Sequence, residues 1–192
     1  MNKSGDENRS VRNTKKKLRE SLLRLMAQKP VNAITVRELT ELADVNRGTF
    51  YFHYSDVHDM LEKIEEDFFV RFHAVLSSED IQKDNQTHPY LQAIFSFLAE
   101  NQDLCKILLS PNGDMIFMNR IHKLVDEQCS CFWRRAAPGS SPAQFERFNA
   151  FIIGGCVGVI QKWLDDGLQE TPEEISEFIA AAVTASVKAC IT

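Results

Sequence analysis

Residues 34–54, ITVRELTELADVNRGTFYFHY, constrain this chain more than any other stretch. Thr35 precedes Glu38 by three residues, the spacing of a capping box. There a hydroxyl accepts a free backbone N–H while the carboxylate reaches back to the cap. Val36, Leu39 and Ala43 then recur at helical spacing, so a short helix with one apolar side is expected. Asp44 and Val45 break the period. Asn46 offers a second N-cap, and a second helix is expected from Arg47 to about Tyr54. Two short helices joined by so brief a turn form a helix-turn-helix unit, whose second helix can lie in a DNA major groove.

The second helix supports that expectation. Residues four apart share a ridge, so Phe50 pairs with Tyr54, Arg47 with Tyr51, and Gly48 with Phe52. The Phe50 ridge is the natural one to bury against the preceding helix. Arg47, Gly48, Thr49 and Tyr51 then lie at the leading end, where the helix dipole favours phosphate. Arg47 can donate two hydrogen bonds to a guanine edge, and Thr49 and Tyr51 can bond phosphate oxygens. Gly48 lets a backbone approach DNA closely, at a helix-propensity cost of about 1 kcal/mol relative to Ala. The plainer alternative is a helical hairpin with a solvated polar face.

The segment TVRELTELADVNRGTFYFHYSDVHDML resembles the DNA-binding region of the TetR/AcrR transcriptional regulators. The matching positions are Thr35, Leu39, Ala43, Val45, Gly48, Thr49, Phe50, Tyr51, His53 and Tyr54. Two positions depart from the family pattern. Asp44 stands where the family usually has Gly, and Asp tolerates left-handed geometry better than most residues. Val57 stands where many members carry a phosphate-touching Lys. The resemblance implies a dimeric, all-helical DNA-binding regulator. Its DNA-contacting set is expected to be Thr35, Arg37, Asn46, Arg47, Gly48, Thr49, Tyr51 and His53, with Arg37 at the flank and Thr35 and His53 supporting phosphate contacts.

Charge distribution is an independent guide. Up to Ser55 the chain carries eleven Lys and Arg against six Asp and Glu, a balance of +5. The whole chain is −5, so residues 56–192 hold −10. A basic end on an acidic body suits a DNA-binding protein better than the total implies, because only that end need approach phosphates. Lys3, Arg9 and Arg12, followed by Lys15, Lys16, Lys17 and Arg19, can serve as an arm reaching backbone or minor groove, or simply as a solvated tail.

The rest of the chain is expected to be all-α, with about nine helices and no strand. Residues 1–10 are expected to be a disordered basic arm, 11–55 the three-helix DNA-binding domain, and 56–192 a helical regulatory (ligand-binding) and dimerisation domain. Leu18, Leu22 and Leu25 mark the first helix, which ends before Pro30. Ser55 is expected to cap a fourth, with Val57, Leu61, Ile64 and Phe68 on its apolar side and an end near Leu76. A polar connection over 77–89 follows. Helices are then expected over about 89–99, 102–110, 114–135, 142–166 and 172–190, broken at 111–113 and 138–142, with Thr171 and Pro172 opening the last.

The last two helices are the expected homodimer surface. Gly154, Gly155 and Gly158 clear side chains from one region, Phe148, Ile152, Val159 and Trp163 fill another, and the final helix is rich in Ala. Intramolecular packing of the same surfaces is the alternative. The resemblance favours a two-fold four-helix interface, so that a dimer reads two half-sites of a palindrome in double-stranded DNA. A small-molecule effector of unspecified identity is the further partner it implies. Phe95, Phe97, Phe117, Met118, His122, Phe132, Trp133 and Phe151 lie where similar proteins enclose one, although such a stripe also reads as core.

Other classes find little support. No apolar run approaches the roughly 18 residues needed to cross a bilayer, and the first residues are charged rather than signal-like. Cys105, Cys129, Cys131, Cys156 and Cys190 are odd in number and show no C-x-x-C pair, which suits reduced thiols in a cytoplasmic protein. His58 with Glu62 could be imagined on a metal, and His53 with Cys105 or Cys129 as base and nucleophile. No catalytic motif accompanies them, so neither an enzyme nor a cofactor is expected. The alternative with the same fold is a helical protein-interaction adaptor that has lost operator binding.

Overall fold

The computed structural model describes the backbone of residues 3–77, 87–110, 115–136 and 141–191, and the side chains of residues 9–77, 90–110, 116–127 and 141–187. Nine α-helices and one 3-10 turn make up the described residues, with no strand among them. The α-helices are α1 (Lys3–Met26), α2 (Val36–Ala43), α3 (Arg47–His53), α4 (Val57–Leu76), α5 (Thr87–Glu100), α6 (Gln102–Leu108), α7 (Met115–Ala136), α8 (Pro142–Asp165) and α9 (Pro172–Ile191). Most ends fall within one or two residues of the sequence expectation, the usual uncertainty of a frayed terminus. Of the expected connection over 77–89, residues 78–86 lie outside the described residues and 87–89 open α5. Of the breaks expected at 111–113 and 138–142, the first and residues 138–140 also lie outside them, and Ser141 and Pro142 open α8.

Three positions differ from expectation. Residues 3–10 begin α1 rather than forming a disordered arm, since no proline interrupts the chain before Met26. The last buried residue of α1 is Met26, not Leu25, which keeps the four-residue spacing of Leu18 and Leu22. α4 is capped by Asp56 instead of Ser55: the Asp59 N–H donates to the Asp56 carboxylate at 2.8 Å, and Ser55 donates its own N–H to Asp59 at 2.8 Å. A carboxylate at the start of a helix is favoured by the dipole as well as by the hydrogen bond.

The helices group into two compact units. The first holds α1 to α3 and α4 as far as Phe68, so the opening turns of α4 join the N-terminal helices rather than the body. Its core is Leu18, Leu22, Met26, Leu39, Phe50 and Met60, all fully buried. Each such side chain contributes about 1.5–3 kcal/mol relative to exposure. α2 lies against α1 and α3 against α2.

The second unit begins at Phe69. α5 packs along α9, while α6 and α7 pack on α8. Phe95 meets the Trp163 ring edge-on at 5.4 Å, and Trp163 donates its indole N–H to the Glu170 carbonyl at 2.9 Å. Arg71 lies over the Phe97 ring at 5.3 Å, and Arg120 over Phe69 at 4.2 Å. Capping boxes at Ser141–Gln144 and Thr171–Glu174 open α8 and α9. Phe95, Phe97 and Phe117 are core, whereas Phe151 is exposed. Phe132 and Trp133 lie outside the residues whose side chains are described, as do Cys129, Cys131 and Cys190.

Candidate nucleic-acid interface

The turn between α2 and α3 is built from local chemistry. The Thr35 hydroxyl accepts the Glu38 N–H at 3.2 Å and gives its proton to the Glu38 carboxylate at 3.0 Å. That carboxylate also takes the Thr35 N–H at 3.1 Å, which completes the box. Lys29 reaches the same carboxylate at 2.6 Å. The Lys29 hydrogen bond first, and the Thr35 backbone second, hold the Glu38 carboxyl down at about 2. Asp44 ends α2 at φ 52°, left-handed, and its N–H returns to Glu41. A side chain is therefore accommodated where glycine was the resembled pattern. Asn46 then accepts the Gly48 N–H at 2.7 Å and starts α3.

Helical geometry sorts the side chains of α3. Successive residues turn by about 100°, so with Phe50 facing inward, Gly48 and Phe52 fall about 160° away from it. Thr49 and Tyr51 fall about 100° to either side. Burial agrees: Phe50 is fully buried, Tyr51 is 57% exposed and Phe52 is 81% exposed. Arg47, Gly48 and Thr49 are exposed too, as are Thr35, Arg37 and Asn46, while His53 is half-buried. The outward side of α3 is free of the unit's own core.

The expected site residues do not all have the same freedom. Gly48, Thr49 and Tyr51 share the outward half of α3, and Arg47, about 60° from Phe50 on the wheel, is exposed at its leading end. Thr35 has committed its hydroxyl proton and its N–H to Glu38. Arg37 donates its Nε to Glu41 at 2.8 Å, which uses one of the five N–H donors of a guanidinium. His53 lies in a shallow groove of about 370 Å³ with Ser10, Val11, Thr14, Gly48, Thr49 and Phe52. Burial first, then the charges of Lys15 and Lys63, hold the His53 imidazole below its usual value. Near neutral pH it is an uncharged ring.

Two residues outside the expected set shape this surface. Phe52 is the most exposed large apolar side chain among the described residues. Its place opposite Phe50 could have been read from the helical period alone. Lys63 of α4 donates to the His53 carbonyl at 3.2 Å and to Asp59 at 2.9 Å, with its ammonium 5.3 Å from the centre of the Tyr54 ring. It ties the end of α3 to α4. Val57 is a buried aliphatic side chain that packs in the unit's core.

Competing chemistry is not assembled here. Among the described residues no three His, Cys, Asp or Glu side chains gather to hold a metal. Cys105 is buried, and burial pushes the Cys156 thiol up, away from the reactive thiolate. No helix of the described residues is long and apolar enough to cross a membrane.

Fold and surface together define a helical protein with an N-terminal helix-turn-helix reader and a separate helical body. Residues 18–64 match the family model described as bacterial regulatory proteins, tetR family, and residues 85–185 match a transcriptional regulator C-terminal region. The chain belongs to the TetR family of bacterial transcriptional regulators, which are DNA-binding proteins rather than enzymes. It is 22% identical over 164 residues to an uncharacterized HTH-type transcriptional regulator, YxbF, of Bacillus subtilis strain 168. That match takes in 83% of this chain but only 42% of the relative's length. A TetR transcriptional regulator from Streptococcus agalactiae 2603V has the same fold at TM-score 0.62, with 23% identity over 94% of this chain and 98% of that one. A putative TetR-family regulator from Syntrophomonas wolfei str. Goettingen gives TM-score 0.63 at 18% identity, over 92% and 96% of the two chains.

Proposed function

We propose that this protein is a sequence-specific DNA-binding repressor that reads a palindromic operator as a homodimer. The observation that carries the reading is the exposed surface of α3, where Gly48, Thr49 and Tyr51 on its outward half and Arg47 at its leading end stand exposed over a buried Phe50 on a doubly capped helix-turn-helix. Arg47 addresses a guanine edge; Thr49 and Tyr51 take phosphate oxygens on either flank. Asn46 holds the start of α3 and Thr35 the start of α2, while Arg37 and His53 add phosphate contacts at the margins. The basic residues of α1 supply the sequence-independent attraction.

Dimerisation through α8 and α9 follows from what those helices leave uncovered. Phe151, Gly155 and Gly158 are exposed at i, i+4 and i+7 on α8, and Phe178, Ala182 and Ala185 repeat that spacing on α9. A Cβ built on Gly154, Gly155 or Gly158 would meet nothing within 4 Å among the described residues, so none of these glycines makes room for a described neighbour. A second copy is the fitting partner for such a face, and its two-fold axis would set two reading heads on two half-sites.

The seat for an effector is a groove of about 680 Å³ between α7 and α8, lined by His122, Lys123, Asp126 and Gln161 over Gly154 and Gly158. That volume suits a small organic molecule. Bound there, it acts only by favouring one arrangement of the dimer over another.

Gel retardation with genomic fragments tests the reading. Selective, salt-sensitive retention is expected, with affinity falling steeply between 50 and 200 mM salt, as phosphate contacts require. No retention at low salt would leave the adaptor reading in its place.

A further inference from the structure

Phe52 is an anomaly for a helix that reads DNA only through hydrogen bonds. It is 81% exposed, it packs into no core, and its ring stands edge-on to His53 at 5.0 Å, which limits its swing. On the helical wheel it occupies the crest of α3 with Gly48, diametrically away from Phe50, while Thr49 and Tyr51 occupy the flanks. A helix entering a major groove presents its crest to the base edges and its flanks to the phosphate walls. Phe has no donor or acceptor, and placing it against a charged phosphate would bring no hydrogen bond. Among base edges in the major groove, the one apolar group is the C5-methyl of thymine. Gly48, one turn earlier on the same crest, bears no side chain to hold the helix away from that floor.

We infer that Phe52 is a specificity-determining residue that packs its ring on a thymine methyl in each operator half-site. The inference rests on the DNA-reading role proposed above, and deepens it by naming a base and the atom recognised. Arg47 selects by hydrogen bonds at the leading end of α3; Phe52 selects by apolar contact a turn further on. Because the contact is non-polar, it adds nothing to the salt dependence of binding.

Deoxyuridine isolates this contact, since it differs from thymidine only in lacking the methyl. With an operator recovered by selection from a genomic library, each thymine is replaced by deoxyuridine in turn and binding of the full chain is measured at fixed salt. The wild type is expected to lose about fourfold at one thymine per half-site, the effect of one buried methyl group. Phe52→Ala is expected to bind thymine and deoxyuridine operators equally, with an unchanged salt slope and an unchanged melting temperature. Phe52→Leu is expected to keep part of the methyl preference. If no deoxyuridine position weakens wild-type binding, or if Phe52→Ala retains the same sensitivity, the inference fails while the regulator reading stands. If the wild type selects no operator at all, both fall.

Discussion

The outward half of α3 and the exposed face of α8 and α9 are both uncovered, yet for opposite reasons. On α3 the exposed groups are a guanidinium, a glycine, two hydroxyls and a single phenyl ring, carried on a helix whose Gly48 N–H is capped by Asn46 and whose inward Phe50 is fully buried. On α8 and α9 they are Phe151, 66% exposed, and Phe178, 59% exposed, with glycines and alanines between them. The first surface carries mostly polar groups for which water is an adequate partner until DNA arrives. The second leaves aromatic area in water, and beside its glycines lies a space that no described residue enters. If α3 reads DNA and α8 and α9 assemble the dimer, as proposed, it is the chemistry of what is exposed and not exposure itself that tells the two surfaces apart.

The largest effect should come from filling the empty space on α8. Gly155→Arg places a long cation where a Cβ meets nothing within 4 Å, so the subunit should fold unchanged, with the helix slightly favoured by loss of a glycine. A two-fold interface contains each substitution twice. Dimerisation should weaken by about a hundredfold or more, the scale of a hot spot at the centre of an interface. Light scattering should then report the 21.9 kDa monomer where the wild type reports a dimer. Operator affinity should fall with it. A dimer unchanged by Gly155→Arg would mean that this face is solvated surface and that the contrast with α3 is mistaken.

Next in size is the leading end of α3. Arg47→Ala should cost about 1–3 kcal/mol of specific binding if the side chain pairs with guanine. Its melting temperature should hold, because Arg47 is exposed. The loss should be confined to operators carrying that guanine, so a fragment changed at the same base pair should bind wild type and variant alike. A uniform loss across all fragments would reassign Arg47 to the phosphate backbone.

Gly48→Ala separates folding from reading within one residue. Alanine raises helix propensity by up to about 1 kcal/mol. Its Cβ would come 3.2 Å from the Asn46 side-chain Oδ1, which a shift of a few tenths of an ångström relieves while keeping the capping hydrogen bond within reach. Thermal stability should therefore stay level or rise slightly while operator affinity falls severalfold. Parallel changes in both quantities would show that the glycine matters for the cap and not for the approach to DNA.

The parts of this contrast differ in how far they could be read from residues alone. Capping boxes, the left-handed Asp44 and the N-cap at Asn46 depend on residues two to four apart, and these were legible. So was Phe50, because the helical period places it inward once α3 is assumed. The cap of α4 was misplaced by one residue, since Ser55 and Asp56 are both good caps and only the carboxylate geometry decides between them. Phe52 was legible as part of a ridge but not as an exposed ring, because apolar residues are ordinarily assigned to cores. That the early end of α4 touches the helix-turn-helix unit could be read, but not that the division falls at Phe68, because its apolar repeat runs unbroken from one unit into the next. Likewise Phe95, Phe97 and Phe117 look alike as core or pocket until their neighbours are known.

The smallest effect concerns His53 at the end of α3, half-buried against the unit and open to the groove beside Thr49. Its pKa in the free protein is lowered by burial, then by Lys15 and Lys63. Below pH 6.5 the unfolded chain therefore binds more protons at this site than the folded one, and stability should decline as pH falls through that region. A phosphate beside the ring would act in the other direction, offsetting the two lysines and raising the pKa in the complex. DNA binding should then take up a proton, so operator affinity at fixed salt should rise modestly as pH is lowered from 7.5 to about 6, even as the free protein becomes slightly less stable. His53→Gln should flatten both trends. If its removal abolishes only the stability trend, the imidazole is part of the packing of α3 and makes no phosphate contact.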